Sequence, residues 1–229
     1  DDKSLPNNSV DELQQDYDEL DKLLRELVLK VDDGDQFVYM QVTRGNGLRG
    51  HIYPEDMQGN LWITLTPAHV ADTYKPIDVI TYEDKRFYYC NCKTLNLIPS
   101  CLAATAADRA GCQEAIFHRG DLVTECAHSN VSIFKDGKVI THQLDDKVLP
   151  GTARIRLLAF AKKLGYGVEE RDYTLDELMN ADEIIVHSTG SFCIPVKTVD
   201  GKPVGGKAPE MLKTIQDALV KDFEEQCKA

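Results

Sequence analysis

The chain has 229 residues, of which 42% are hydrophobic and 28% charged, proportions typical of a folded protein with one large or two modest domains. Its formal net charge of −12 argues against a nucleic-acid partner, because binding to a phosphate backbone needs an extended basic face. The sequence contains no apolar run long enough to span a bilayer and no secretory signal, so we predict no membrane partner.

The cysteines bear on the cellular compartment. There are seven of them at irregular spacings, which does not indicate a disulfide framework and suits a reducing cytoplasm. Cys90 and Cys92 would share one face of a strand, but no second pair or histidine cluster completes a zinc site. We therefore predict a cytoplasmic protein without a metal.

The first half of the chain predicts a helix followed by strands. Ser9 and Glu12 match a capping box, and apolar residues then recur at helical spacing. Strands are predicted where β-branched and aromatic residues concentrate, at 36–43, 61–65 and 78–82. We place a small domain at residues 1–70, a linker at 71–76 and a large domain at 77–229.

The second half predicts hairpins and interspersed helices. A strand at 86–91 leads into a turn that contains Lys93 and then a helix at 99–109. Two hairpins are predicted, at 114–118 with 122–125 and at 131–134 with 139–141, the second with its turn at Lys135–Gly137. Further helices are predicted at 153–164, at 175–179 with a capping box of Thr174 and Glu177, and at 209–223, and further strands at 183–187 and 193–196. This order favours the α+β class with mixed sheets over a regular βαβ array.

Four residues are candidates for chemistry on residue type alone. Lys93 follows a strand end among small and apolar residues, where partial burial would make its amine a nucleophile; the alternative is a solvated surface lysine. Glu125 ends a hairpin strand and, taken alone, would face water. Arg49 and His51 lie on a glycine-rich loop and could bind a carboxylate, although the bare pattern is also that of a solvated loop.

Short strings over most of the chain resemble the D-amino-acid transaminases of fold type IV, in the order in which that family has them. They are Tyr39–Gly45, Arg49–His51, Cys92–Leu97, Glu114–Arg119, Val123–Glu125 with Ser129–Asn130, and Leu149–Gly151. The resemblance implies a small α/β domain, a larger mixed α/β domain and the cofactor pyridoxal 5′-phosphate. It also implies transfer of an amino group from a D-amino acid, D-alanine first, to a 2-oxo acid such as 2-oxoglutarate, giving pyruvate and D-glutamate.

The resemblance also assigns roles to the cofactor-binding residues. Lys93 is implied to hold the cofactor covalently and to move the substrate's α-proton, and Glu125 to pair with the pyridine nitrogen. Arg86 matches an arginine near the cofactor phosphate, and Ser188 and Thr189 match its phosphate-binding pair. The remaining implied cofactor contacts are Ser129, Asn130, Leu149, Thr152 and Ala153.

Two positions depart from the family pattern, and two further histidines are assigned a structural role. Ala153 stands where a threonine is usual, so one hydroxyl contact to the phosphate is lost. His128 replaces a small hydroxyl residue, and its bulk can alter the substrate range. We predict His118 and His187 to be hydrogen-bonded structural histidines rather than catalytic groups.

Substrate class depends on Arg49 and His51. In the family this pair is the carboxylate trap, which acts in the site of the partner subunit of a homodimer. Branched-chain aminotransferases and aminodeoxychorismate lyases share the scaffold without the pair, and both remain alternatives. Family members also begin with further strands that carry a substrate-binding tyrosine and a phosphate-binding arginine, which this sequence does not supply. The sequence is therefore expected to be part of a longer protein, or a truncated and non-catalytic chain.

Overall fold

The computed structural model describes residues 10–31, 34–52 and 54–227, with side chains from residue 16 onward. The chain divides into two compact units, Asp1–His69 and Val70–Ala229. The assignment of residues 71–76 as a linker stays a prediction.

The smaller unit contains a helix and a two-stranded antiparallel sheet: α1 (Val10–Val28), β1 (Gln36–Thr43) and β2 (Asn60–Pro67). The predicted helix and strands are confirmed, whereas the capping box of Ser9 with the Glu12 side chain lies outside the described residues. The loop between β1 and β2 contains Arg49 and His51, and both are exposed. Gly45 in this loop has a φ of +118°, which L-residues rarely adopt.

The larger unit is built on a mixed sheet of nine strands within the described residues. Its strands are β3 (Ile77–Glu83), β4 (Glu114–Arg119), β5 (Leu122–Cys126), β6 (Asn130–Lys135), β7 (Lys138–Thr141), β8 (Gly167–Glu170), β9 (Glu183–His187), β10 (Ile194–Val199) and β11 (Lys202–Pro203). The strand order is β5-β4-β3-β10-β9-β6-β7-β8, with β11 beside β10. The pairs β3/β4, β3/β10 and β7/β8 are parallel and the others antiparallel, which confirms the predicted α+β class with a mixed sheet.

Four helices accompany this sheet: α2 (Ile98–Arg109), α3 (Thr152–Lys163), α4 (Leu175–Met179) and α5 (Pro209–Gln226). The small residues Ala103 and Ala107 let α2 pack closely on Ala115 and Phe117 of β4. In a second cluster, Leu157 of α3 and Ile215 of α5 are fully buried. None of the helices in the described part of the chain is long and apolar enough to cross a membrane.

Local sequence signals fix several boundaries. The hairpin of β6 and β7 turns at Asp136 and Gly137, whose φ values of 50° and 74° are those of a type I′ turn. The predicted capping box at the start of α4 is confirmed, because Thr174 Oγ1 accepts from the Glu177 N–H while the Glu177 carboxylate accepts from the Thr174 N–H.

The predicted strand at 86–91 is wrong. After β3 the chain forms a loop, because the Asp84 carboxylate accepts the backbone N–H of Arg86 at 3.0 Å and turns the chain away from the sheet. The loop continues with the Cys90 N–H on the Asp146 carbonyl at 3.0 Å and the Cys92 N–H on the Tyr89 carbonyl at 3.1 Å. Cys90 and Cys92 therefore do not share a strand face.

Candidate active site

A cavity of about 560 Å³ opens in the larger unit where the ends of several elements meet. Its wall is formed by the loop before α2, the bend between β5 and β6, the start of α3 and the turn after β9. Every cofactor-binding residue that the sequence predicts lies in this wall: Arg86, Lys93, Glu125, Ser129, Asn130, Leu149, Thr152, Ala153, Ser188 and Thr189. Residues separated by as many as 103 positions, from Arg86 to Thr189, thus meet in one place.

Glu125 is the buried carboxylate of the cavity, with its side chain 6% exposed. Oε2 accepts hydrogen bonds from Asn130 Nδ2 at 2.8 Å and from the Leu149 N–H at 3.0 Å, and Oε1 accepts from Arg86 Nη1. Burial raises the pKa of Glu125, while Arg86 and the Leu149 N–H oppose that rise by favouring the carboxylate. Glu125 thus does not face water, which was the alternative that its position alone allowed.

Arg86 links Glu125 to a second buried acid, Asp84. Its guanidinium donates to both Asp84 oxygens at 3.0 Å and to the Lys147 carbonyl at 3.1 Å, and it lies 4.5 Å from the Phe117 ring centre. Burial acts to lower the pKa of Arg86, but Asp84 and Glu125 outweigh burial and leave that pKa raised. The guanidinium is thus engaged at the Glu125 end of the cavity, a contact that the sequence did not indicate.

A second group of donors lies where the start of α3 meets the turn after β9. We call its three hydroxyl residues, Thr152, Ser188 and Thr189, the hydroxyl cluster. Thr152 Oγ1 lies 3.0 Å from Thr189 Oγ1, and Ser188 Oγ lies 2.7 Å from Ser191 Oγ. Helix α3 has Gly151 as its N-cap, without a side-chain hydrogen bond or an acidic residue in its first turn. The first N–H groups of α3 and the hydroxyl cluster therefore offer neutral donors and a positive helix end to an anion.

Gly151 and Asn130 join these two groups. A Cβ on Gly151 would stand 2.2 Å from Asn130 Oδ1, closer than any real contact. The absence of a side chain at this N-cap lets Asn130 donate to both Glu125 and the Leu149 carbonyl, at 2.8 and 3.0 Å. The contact between Gly151 and Asn130 thus links the start of α3 to the Glu125 carboxylate.

Lys93 lies in the loop before α2, in the wall of the same cavity, and its side chain is exposed. Of the two interpretations that the position of Lys93 allowed, partial burial or a solvated surface lysine, the structure shows the exposed one, because the loop that replaces the expected strand leaves Lys93 outside the packed core. Arg49 and His51 belong to the other unit and are not among the residues of this cavity wall.

The two predicted structural histidines both have hydrogen-bond partners. His118 Nδ1 lies 2.7 Å from the Gly120 carbonyl. His187 Nε2 lies 2.9 Å from Ser132 Oγ, while its Nδ1 is buried without a hydrogen-bond partner in the described part of the chain. Burial and the charge of Arg154 lower the pKa of His187 to about 3, so the ring is neutral in the folded protein.

Three groups at or near the cavity were missed from the sequence. Asp84 binds Arg86, Arg119 and Thr124, and Glu114 binds Ser129 and His128. An acidic residue at or near the end of a predicted strand was the available signal for both. The third group, His142 with Asp145 and Asp172, has a spacing that could suit a metal, but Lys147 already contacts Asp145 and none of the three lines the cavity.

Comparison with known families identifies the chain. The model of the amino-transferase class IV family matches residues 7–199. The chain belongs to the class IV aminotransferase family. Among curated members of this family, it is 38% identical over 216 residues to a D-alanine aminotransferase of Listeria monocytogenes, covering 92% of this chain and 75% of the relative. It is 35% identical over 224 residues to a D-alanine aminotransferase of Staphylococcus aureus, covering 93% and 77%.

Solved structures of class IV aminotransferases and of related proteins share the fold. A branched-chain amino acid aminotransferase of Escherichia coli superposes with a TM-score of 0.79 and 25% identity, covering 95% of this chain and 73% of that one. A putative 4-amino-4-deoxychorismate lyase of Legionella pneumophila gives a TM-score of 0.80 at 18% identity, covering 95% and 79%. The second likeness concerns the fold alone. Together with the mixed sheet, these comparisons confirm fold type IV.

Proposed function

We propose that this class IV aminotransferase uses pyridoxal 5′-phosphate to transfer an amino group from a D-amino acid, D-alanine first, to a 2-oxo acid such as 2-oxoglutarate. The products would be pyruvate and D-glutamate. The observation that carries the proposal is that a lysine, a buried carboxylate and an anion-binding helix start line one cavity. Relatives at 35–38% identity that are named D-alanine aminotransferase support the choice of substrate.

The donor set of the cavity fits the cofactor. Pyridoxal phosphate has a protonatable ring nitrogen, a dianionic phosphate and an aldehyde. The buried, hydrogen-bonded Glu125 suits the protonated nitrogen, and the hydroxyl cluster with the first N–H groups of α3 suits the phosphate. The exposed Lys93 amine is the nucleophile available to the aldehyde.

Each residue then has a defined task. Lys93 would hold the cofactor covalently. Once released, its amine would accept the proton from the substrate's Cα and deliver that proton to the C4′ carbon of the cofactor. Glu125 would keep a proton on the ring nitrogen, and Arg86 and Asn130 would hold Glu125 in place. When bound, the cofactor supplies an electron sink for the carbon that loses its proton. Leu149 and Ala153 would exclude water beside the ring and phosphate.

We assign Arg86 in this proposal to Glu125 rather than to the phosphate. Its guanidinium donates to Asp84, Glu125 and the Lys147 carbonyl. Phosphate binding is left to Thr152, Ser188, Thr189 and the Ala153 N–H, which compensates in part for the threonine that Ala153 replaces.

We further propose a homodimer in which Arg49 and His51 bind the substrate carboxylate in the partner's site. An exposed apolar surface around Lys93 supports a second copy as its cover, since patches of this kind mark protein interfaces. Its members are Phe87, Tyr88, Tyr89, Leu95, Leu97, Ile98 and Leu102. The seven cysteines are all free, which supports a reducing cytoplasm as the compartment.

The deciding experiment compares substrates on the cofactor-loaded protein. We expect the near-visible absorption band of the bound cofactor to disappear on adding D-alanine, with release of pyruvate, and to respond weakly to L-leucine. Lys93→Ala should abolish turnover, whereas the matched control Lys162→Ala, at an exposed position in the last turn of α3, should retain it. Full turnover by Lys93→Ala would refute the assignment of Lys93.

Two other outcomes decide between the alternatives. Faster reaction with L-leucine than with D-alanine would favour the branched-chain activity that the structural likeness at 25% identity suggests. Pyruvate release from aminodeoxychorismate would favour the lyase. A protein that folds and dimerises without binding the cofactor would favour the remaining alternative, a truncated chain without catalytic activity.

A further inference from the structure

His128 is the exposed basic side chain of the cavity wall that the proposed roles leave unused. It lies in the bend between β5 and β6, and its side chain is 67% exposed. The ring is nevertheless held in place, because Nδ1 lies 3.0 Å from Oε2 of Glu114. An exposed imidazole with one nitrogen fixed presents its other nitrogen, Nε2, in a defined direction.

Glu114 is a buried support for this ring. Its side chain is 2% exposed, Oε1 accepts the Ala115 N–H at 2.8 Å, and Oε2 accepts Ser129 Oγ–H at 2.8 Å. Among the ion pairs of the described residues, His128 is its basic partner. An ionised carboxylate can only accept hydrogen bonds, so Nδ1 of His128 must donate. This fixes the ring orientation and leaves Nε2 for a ligand.

The other basic side chains of the wall are engaged elsewhere. Arg86 is bound by Asp84 and Glu125, and His187 is fully buried with Nε2 on Ser132. Lys93 is assigned to the cofactor. Among the described residues of the wall, His128 is therefore the group that can meet a negative charge on a substrate side chain.

We propose that His128, oriented by Glu114, binds the second carboxylate of a dicarboxylic substrate, such as an acidic amino acid or its 2-oxo acid. In that complex the imidazolium lies between two carboxylates and donates to both, through Nδ1 to Glu114 and through Nε2 to the ligand. A monocarboxylic substrate such as alanine or pyruvate has no group for this contact. The inference rests on the proposed function, because it assumes that amino acids and 2-oxo acids enter this cavity.

The test measures binding without turnover. Glutarate and butyrate have no amino or oxo group to react, and they differ in the second carboxylate. We expect calorimetric titration of the cofactor-loaded protein to give glutarate an affinity about tenfold or more above that of butyrate, as for one charge-assisted hydrogen bond. His128→Ser should remove this difference by weakening glutarate while butyrate stays within about twofold.

Two further variants sharpen the test. His69→Ser is the matched control, since His69 is an exposed histidine paired with Asp35 at 3.1 Å and is not in the cavity wall. It should leave both affinities unchanged. Glu114→Gln removes the charge that orients the ring, and we expect it to weaken glutarate selectively, whereas a merely structural role would weaken both acids. If Glu114→Gln does not fold, the exposed position of His128 keeps the His128→Ser comparison decisive.

Steady-state kinetics adds a second readout. In His128→Ser the KM for 2-oxoglutarate should rise about tenfold while the KM for pyruvate changes little. Equal changes for the two oxo acids, or equal binding of glutarate and butyrate by the unaltered protein, would overturn the inference even if D-alanine is transaminated normally. Failure of the proposed function appears instead as absent D-alanine turnover, which the glutarate and butyrate titrations do not require.

Discussion

The side-chain amide of Asn130 donates a hydrogen bond of 2.8 Å to Oε2 of Glu125 and another of 3.0 Å to the Leu149 carbonyl. One side chain thus connects the carboxylate at the end of β5 with the segment that leads into α3.

Glu125→Gln should reduce turnover by about 10²- to 10³-fold, the range found when a charge-stabilising group is removed. The neutral amide cannot keep a proton on the cofactor nitrogen, and its NH₂ group would face donors from Arg86, Asn130 or Leu149. Turnover of D-alanine and the absorption of the bound cofactor are the measurements. Glu210→Gln, at an exposed position in the first turn of α5, is the control, and a variant at Glu125 with half of normal turnover would contradict the assignment.

Arg86→Met should lower the free energy of unfolding by about 3–5 kcal/mol, because it leaves the buried carboxylate of Glu125 without a cation and leaves Asp84 with Arg119 alone. Urea titration of the full chain measures this change. Arg171→Met removes an arginine that is 40% exposed and pairs with Glu169 and Glu177, and should cost about 1 kcal/mol or less per pair. Similar losses of unfolding free energy in the two variants would mean that the burial of Arg86 with Asp84 and Glu125 adds little to stability.

Gly151→Ala should cost about 1–3 kcal/mol and weaken cofactor binding, because its Cβ would meet Asn130 Oδ1 at 2.2 Å and displace the amide from Glu125. The backbone of Gly151 has φ −62° and accepts an alanine without strain, so the effect isolates the contact. Gly34→Ala, with nothing within 4 Å of its Cβ, should change stability by less than about 0.5 kcal/mol. Unaltered cofactor affinity in Gly151→Ala would show that Asn130 can move freely.

Because His187 is buried and neutral, we expect the free energy of unfolding to fall in acid. Its pKa is lowered to about 3 by burial and by Arg154, whereas an unfolded histidine takes up its proton near pH 6.5. Between these values the unfolded chain binds more protons, so stability falls as the pH falls below about 6.5, by up to about 1.4 kcal/mol per pH unit. This contribution is fully present above pH 6.5.

His187→Asn should flatten that pH dependence. Unfolding in urea at several pH values between 7.5 and 5 measures the slope for both proteins. His69→Asn, at an exposed histidine, should keep the original slope. A slope that is unchanged in His187→Asn would assign the acid sensitivity to other groups.

The sequence predicted the elements well where local signals act alone. The strand β1, the Asp136–Gly137 turn and the Thr174–Glu177 capping box are determined by residues next to one another in the chain. The segment after β3 was misjudged because aromatic residues at 87–89 favour a strand, whereas the Asp84 carboxylate captures the Arg86 N–H and turns the chain.

The candidate site could be predicted only in part. The resemblance to a family supplied the residues of the cavity wall, because those motifs are contiguous in sequence. The contacts of Arg86 with Glu125 and of His128 with Glu114 join positions 39 and 14 residues apart. Nothing local marks such pairs, since they depend on how β4, β5 and the loop before α2 are placed by the sheet.

The loop between Glu83 and Ile98 is anchored at its start, middle and end, so its number of residues is constrained. Its first residue, Asp84, donates its N–H to the His118 carbonyl at 2.8 Å, its middle is tied through Cys90 to Asp146 at 3.0 Å, and its end is the start of α2. One inserted residue would add about 3.3–3.6 Å of chain, more than the length of a hydrogen bond, and would shift Lys93 relative to these anchor points. Natural variation in this segment should therefore almost never change the number of residues, and replacements should fall at positions other than Asp84, Arg86 and Lys93.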